Sequence, residues 1–199
     1  MRLNLVNMSA AILMLAACGP LVQVGGNAPP AASLLTLAAT ATAPEGTSGA
    51  PLLIVRPDVP GALRTTRIPV QTAQNELQYL DLASWVEQPN ILFQRVLADT
   101  FEARSGRPAM DERNIDVVPA ARLSGKLMEF GLDVSAERVV RVRYDAVLTS
   151  ANDGLLGTRR FEATEPVSSE TGPAIASALG RAANRLAADI ADWAGEKSS

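Results

Sequence analysis

The residue best placed to do chemistry in this chain is a single thiol. Leu15-Ala16-Ala17-Cys18 closes an apolar N-terminal segment, and Cys18 is the only cysteine in the 199 residues. Small residues directly before a cysteine, at the end of a hydrophobic run, match the bacterial lipobox. There diacylglycerol is transferred to the thiol, and cleavage leaves that cysteine as the acylated N-terminus. The sulfur would end as a thioether, an anchor with no nucleophile left to offer. An ordinary signal peptide with an incidental cysteine is the alternative. The run behind Cys18, Ala10-Ala11-Ile12-Leu13-Met14-Leu15-Ala16-Ala17, is too short to remain in a bilayer as a spanning helix, and Arg2 is the one charge ahead of it. Three acyl chains, palmitate among them, at ~0.8 kcal/mol per buried methylene would hold the mature protein on a membrane essentially irreversibly.

Other chemistry is excluded by residue type. The sequence contains no histidine, so Ser-His-Asp and Cys-His catalysis in their usual forms, and ordinary zinc sites, lack the groups they need. No pair of carboxylates stands out for acid–base hydrolysis. The expectation is a protein that is not an enzyme, with no catalytic residue, no cofactor and no metal, and with Cys18 as its lipidation site. The net charge is −3, and removal of Arg2 makes it more negative, so nucleic acid is not an expected partner. A lone cysteine leaves no disulfide, and the fold must rest on its apolar core.

The elements that would carry such an anchor follow in order. Residues 1–17 read as a lipoprotein signal peptide and residues 18–32 as the lipidated cysteine with a flexible tether, marked by Gly25-Gly26 and Pro29-Pro30 and devoid of charge. Residues 33–195 form one domain. Ser33 to Leu37 and the proline-bounded run Pro51 to Pro57 read as strands, with a loop between them. Gly61 to Val70 and Asn75 to Tyr79 alternate apolar and polar residues and are expected to pair with one wet face. Pro89 opens a helix whose stripe Phe93, Val96, Leu97, Phe101 faces the core and which ends before Ser105-Gly106.

In Arg122 to Val134 the parity of Leu123, Leu127, Phe130 and Leu132 changes after Leu127, which predicts a bulge near Met128-Glu129. Arg138 to Thr149 is the clearest strand, with Val140, Val142, Tyr144, Ala146 and Leu148 on one face. Asn152-Asp153-Gly154 supplies a hairpin turn whose glycine tolerates positive φ, and Leu155 to Ala163 returns antiparallel. Arg141, Arg143, Arg159 and Arg160 make either a basic patch or a solvated face offset by Asp145 and Glu162, the latter preferred. Thr171 caps a final helix with the stripe Ile175, Leu179, Ala182, Leu186, Ile190, Trp193. Tyr79, Trp85 and Trp193 are read as core residues rather than interface anchors. The fold class is therefore α/β in the α+β sense: a mainly antiparallel sheet with two helices packed on it.

This order of elements, with several short motifs, resembles the ABC-type transport auxiliary lipoprotein family, typified by paraquat-inducible protein C. The residues that carry the resemblance are Ser33-Leu34-Leu35-Thr36-Leu37, Pro51 to Pro57, Arg67-Ile68, Asn75-Glu76-Leu77-Gln78-Tyr79, Trp85 with Pro89, Arg122-Leu123 with Phe130, Arg160-Phe161-Glu162-Ala163, and Ala191-Asp192-Trp193. Pro119-Ala120-Ala121 departs from the family, which tends to carry an acidic-aromatic pair there. The resemblance implies a compact α/β fold and a non-enzymatic part of an envelope lipid-transport system. Its implied partners are a mammalian-cell-entry (MCE) protein, an ABC permease and an ATPase, the membrane through the lipid anchor, and further copies of the chain as a homo-oligomer. Gly19 lacks the aspartate that favours inner-membrane retention in enteric bacteria, which points to the outer membrane, facing the periplasm. A lipoprotein assembly factor or pilotin for an outer-membrane complex shares the anchor and the compact domain and is the alternative.

Overall fold

The computed structural model describes residues 33–42, 44–113 and 117–198. In chain order they form β1 (Ser33–Leu35), β2 (Leu52–Ile54), a 3-10 turn (Gly61–Leu63), β3 (Arg67–Ala73) and β4 (Glu76–Trp85). After these come α1 (Pro89–Ser105), β5 (Ala109–Met110), β6 (Ala121–Asp133), β7 (Val139–Ser150), β8 (Leu155–Pro166) and α2 (Gly172–Lys197). The strands make one sheet, and β6 is its spine. Along one side β6 pairs antiparallel with β7 over its whole length, and β7 in turn pairs with β8. The other side of β6 is shared: β2 lies parallel at Ala121 to Leu123, Asp58 bridges at Lys126, and β3 lies parallel at Leu132 and Asp133. β4 then pairs antiparallel with β3, and β1 runs parallel to β4 at the edge. The long pairs are antiparallel, as the alternating patterns require, and the parallel contacts are confined to short stretches.

Both helices cover one face. The stripe Phe93, Val96, Leu97, Phe101 of α1 is buried, and so is the stripe of α2 from Ile175 to Trp193. They meet the inward residues of β6 to β8, with Phe93 tilted on Tyr144 at 5.7 Å and Trp193 edge-on to Phe161 at 5.6 Å between ring centroids. Alanines between the large residues of α2 let the helix lie close to the sheet. α1 ends where Gly106 takes φ 66, the left-handed conformation that glycine adopts without penalty. The register of β6 shifts between Leu127 and Glu129, so Met128 is the extra residue that reverses the parity. Gly125 sits where no side chain fits: a Cβ there would lie 2.2 Å from the Asp145 carbonyl oxygen and 2.8 Å from the Tyr144 ring. The Tyr144 hydroxyl is buried without a hydrogen-bond partner among the described residues, and burial holds its pKa well above the ordinary phenol value.

Four local expectations are corrected. Gly61 to Leu63 is a 3-10 turn, not strand, because Pro60 fixes its entry and the Leu63 N–H bonds the Pro60 carbonyl at 3.0 Å; β3 starts only at Arg67. Asn75 lies in the β3–β4 turn, outside the strands. In the β7–β8 turn the positive φ falls on Asp153 (60°), not on Gly154, since aspartate tolerates that region through its short polar side chain. Thr171 is the N-cap of α2, but its hydroxyl pairs with Ser169 at 3.2 Å and makes no capping bond.

Candidate functional site on the open sheet face

Cys18, the predicted lipidation residue, lies outside the described residues, as do the signal peptide and tether assigned to residues 1–32. Among the described residues no group of three His, Cys, Asp or Glu side chains converges as a metal site, and no helix is long and apolar enough to cross a membrane. The surface left for function is the face of the sheet that the helices do not cover.

On β6 to β8 this face is a ladder of ion pairs. Arg143 meets Glu129 at 2.5 Å, Arg141 meets Asp133 at 2.9 Å and Glu162 at 3.5 Å, and Arg160 meets Asp145 at 2.6 Å. Arg159 falls on the opposite side of β8, over the Phe161 ring at 4.8 Å. The four arginines therefore make no basic patch: three are neutralised by cross-strand carboxylates, and the fourth belongs to another face. The hydrogen bond from Arg160 holds the Asp145 carboxyl below its ordinary value. Desolvation pushes Asp133 up, but bonds from Ser135 and Arg141 outweigh it and the net shift is downward.

Glu165, at the helix side of β8, behaves in the same way. Desolvation raises it, the bonds from Arg185 and Arg181 overcome that, and its pKa lies below the ordinary 4.5. A carboxylate depressed in the folded state stabilises above its unfolded value and loses that contribution as pH falls through the folded one. Folding stability is therefore expected to stay level down to about pH 4.5 and decline below it, and Glu165→Gln should flatten part of that decline. Because both arginines are half exposed, the change at neutral pH should stay under about 1 kcal/mol. Urea titrations at a series of pH values check both.

Beside the ladder a cleft of about 450 Å³ opens between the 3-10 turn, the β3–β4 hairpin and the bulge of β6. Pro60, Pro69 and Leu77 give it an apolar wall, while Glu129, Arg141 and Arg143 give it a charged floor. Each carboxylate of that floor is already in an ion pair, so the cleft offers contact surface and hydrogen bonds.

The open face changes character at the β1–β4 edge. Leu34 is 70% exposed and pairs in register with Ser84, whose neighbours two residues away on β4 and just beyond it, Leu82 (53%) and Val86 (49%), are also exposed. Leu82 has φ 56, a left-handed conformation that a leucine adopts at a cost of roughly 1–2 kcal/mol. It sits in an irregular stretch of β4, where Arg67 pairs with Ser84 but Pro69 pairs with Tyr79, so the residues between project from the ladder. Arg67, in register with Ser84, lies over the Tyr79 ring at 4.3 Å. Tyr79 is thus a half-buried surface residue bonded to the Ala62 carbonyl at 3.2 Å, against the expectation of a core role, while Trp85 and Trp193 are buried as expected. No sequence signal marked this cluster, because an alternating pattern shows which residues share a face but not which strand lies at an edge. Val117, Val118 and Leu155 are also exposed, near the start of β6 and the β7–β8 turn.

The class is thus an α+β domain with a helix-backed sheet and one bare, largely charge-paired face. The chain belongs to the ABC-type transport auxiliary lipoprotein family, whose model matches residues 33–191. It is a membrane-anchored protein of the cell envelope that accompanies an ABC-type transporter. Crystal structures share the fold at low identity. A protein of Xanthomonas campestris superposes with a TM-score of 0.72 at 18% identity, over 83% of this chain and 96% of its own. An uncharacterised protein gives 0.66 at 12% identity, over 81% and 99%. A Chlamydia trachomatis protein gives 0.50 at 5% identity, over 76% and 98%. No curated protein matches the sequence.

Proposed function

We propose that this protein is the non-enzymatic docking component of an ABC/MCE-type envelope lipid transport system. Residues 1–17 are its signal peptide, Cys18 its acylated N-terminus, residues 18–32 its tether, and residues 33–195 the domain that holds the periplasmic MCE assembly to the membrane. The observation that carries this reading is the family match over residues 33–191. The lipobox at Leu15 to Cys18 supports it, and Gly19 in place of aspartate favours the outer membrane. A docking role asks for a stiff platform with its charges satisfied, which is what the paired ladder on β6 to β8 provides.

The test is affinity purification of the full-length protein from native membranes in mild detergent, with mass spectrometry of the partners and of the N-terminal peptide. Recovery of an MCE protein together with an acylated Cys18 is the expected result. An acylated Cys18 with a secretin or an outer-membrane barrel, and no transporter component, would overturn the transport assignment and leave an assembly factor.

A further inference from the structure

We propose that the apolar corner formed by Leu34, Leu82 and Val86 rests on the phospholipid surface to which the chain is tethered, and so fixes which way the domain faces. This inference rests on the lipid anchor described above. Three observations lead to it. The first is chemical: Leu34 pairs with Ser84, and Leu82 and Val86 lie two residues to either side of that partner, so three aliphatic residues between about half and seven-tenths exposed occupy one sheet edge, where a folded domain would ordinarily place charge. The second is the backbone at Leu82, where φ 56 holds an apolar side chain outward in a conformation that leucine adopts only under constraint. The third is continuity: Leu34 is in the first strand, so the chain that leaves a membrane at Cys18 reaches this corner before any other.

The tether sets the scale. Cys18 precedes Ser33 by fifteen residues of sequence, so on the anchor reading the first strand follows the acylated N-terminus within a short length of chain and at high effective concentration. Under that condition a few partly buried aliphatic groups, too weak to bind a free protein, suffice to orient a tethered one. The rim fits an interface between hydrocarbon and headgroups. Arg67 stacks on Tyr79 and makes no ion pair among the described residues, so its guanidinium is free for phosphate while the ring stays at headgroup level. Of the nearby carboxylates, Glu87 is held by Arg95 at 2.7 Å, which leaves Asp81 as the exposed acid of the rim. The trio offers no hydrogen-bonding group that a protein partner would need to read.

The test uses the full-length acylated protein in vesicles of phosphatidylethanolamine and phosphatidylglycerol. Because acylation consumes the thiol of Cys18, Leu34→Cys, Val86→Cys and, as the distant control, Leu155→Cys each carry a single free thiol for a fluorophore. Phospholipids bearing a nitroxide are expected to quench the labels at 34 and 86 several-fold more than the label at 155. Leu82→Gly relieves the backbone while removing the side chain; it should fold at least as well as the parent and still lower the quenching at position 34 about two-fold or more, toward the level at position 155. Equal quenching at 34 and 155 overturns the proposal, as does a Leu82→Gly variant that quenches like the parent. A label at 34 already shielded from iodide in detergent, on a particle of several copies, also overturns it, since a second copy then covers the corner. Mass spectrometry of the N-terminal peptide reads the anchor separately: an acylated peptide with equal quenching overturns the corner alone, whereas a peptide without acyl chains overturns the anchor reading and this proposal with it.

Discussion

Cys18→Ala is expected to yield unlipidated protein in the soluble periplasm instead of the membrane fraction. On the proposed reading the thiol is the acceptor for diacylglycerol, and an alanine has no atom to alkylate. The corner at Leu34 does not rescue the anchor, because three partly exposed aliphatic groups lack the dozens of methylenes that acyl chains bury, at ~0.8 kcal/mol each. Cell fractionation with mass spectrometry of the N-terminal peptide reads the result. A variant that still carries acyl mass and sediments with membranes would show that the lipobox lies elsewhere.

The second large effect is on stability. Trp85 is 1% exposed, packs against Phe130 at 5.6 Å between ring centroids, and its backbone N–H bonds the Thr66 carbonyl at 2.7 Å. It therefore ties the end of β4 to the centre of the sheet. Trp85→Ala should cost about 3–5 kcal/mol, a large share of the ~5–15 kcal/mol that holds a domain together. Trp85→Phe should cost far less. The indole Nε1 is buried without a partner among the described residues, so the smaller ring keeps most of the apolar contact and removes an unsatisfied donor. Urea denaturation followed by far-ultraviolet circular dichroism separates the two; equal losses would mean that the indole N–H is bonded in solution.

These contrasts show where the sequence carried information. Long amphipathic segments were legible because burial imposes a period: the α1 stripe, the inward face of β7 and the bulge at Met128 all follow from which positions must avoid water. The lipobox reading at Cys18 rests on a linear motif and lies outside the described residues. What escaped were choices made by distant partners. Nothing in Leu52 to Ile54 says that the strand lies parallel to β6, or in Ser33 to Leu35 that β1 becomes an edge, since three apolar residues fit any neighbour. The charges were only half legible: their alternation put Arg141, Arg143 and Asp145 on one face, but the carboxylates that neutralise the arginines come from β6 and β8 as well. Tyr79 was misplaced because an aromatic residue in a chain poor in them reads as core, whereas Arg67 and the 3-10 turn hold it at the surface.

The way β1 is held bears on how the protein carries load. For a pull directed along β1, the backbone hydrogen bonds to the parallel β4 are strained together in shear, not opened one at a time. Just beyond the strand, Asn184 of α2 grips the same segment twice, accepting from the Thr40 N–H at 2.7 Å and donating to the Ala38 carbonyl at 2.9 Å. Tension that strips β1 from β4 therefore next meets this clamp on the longest helix of the domain, before it can unravel the chain beyond. On the proposed reading the first strand, short as it is, is the mooring point of an anchored domain.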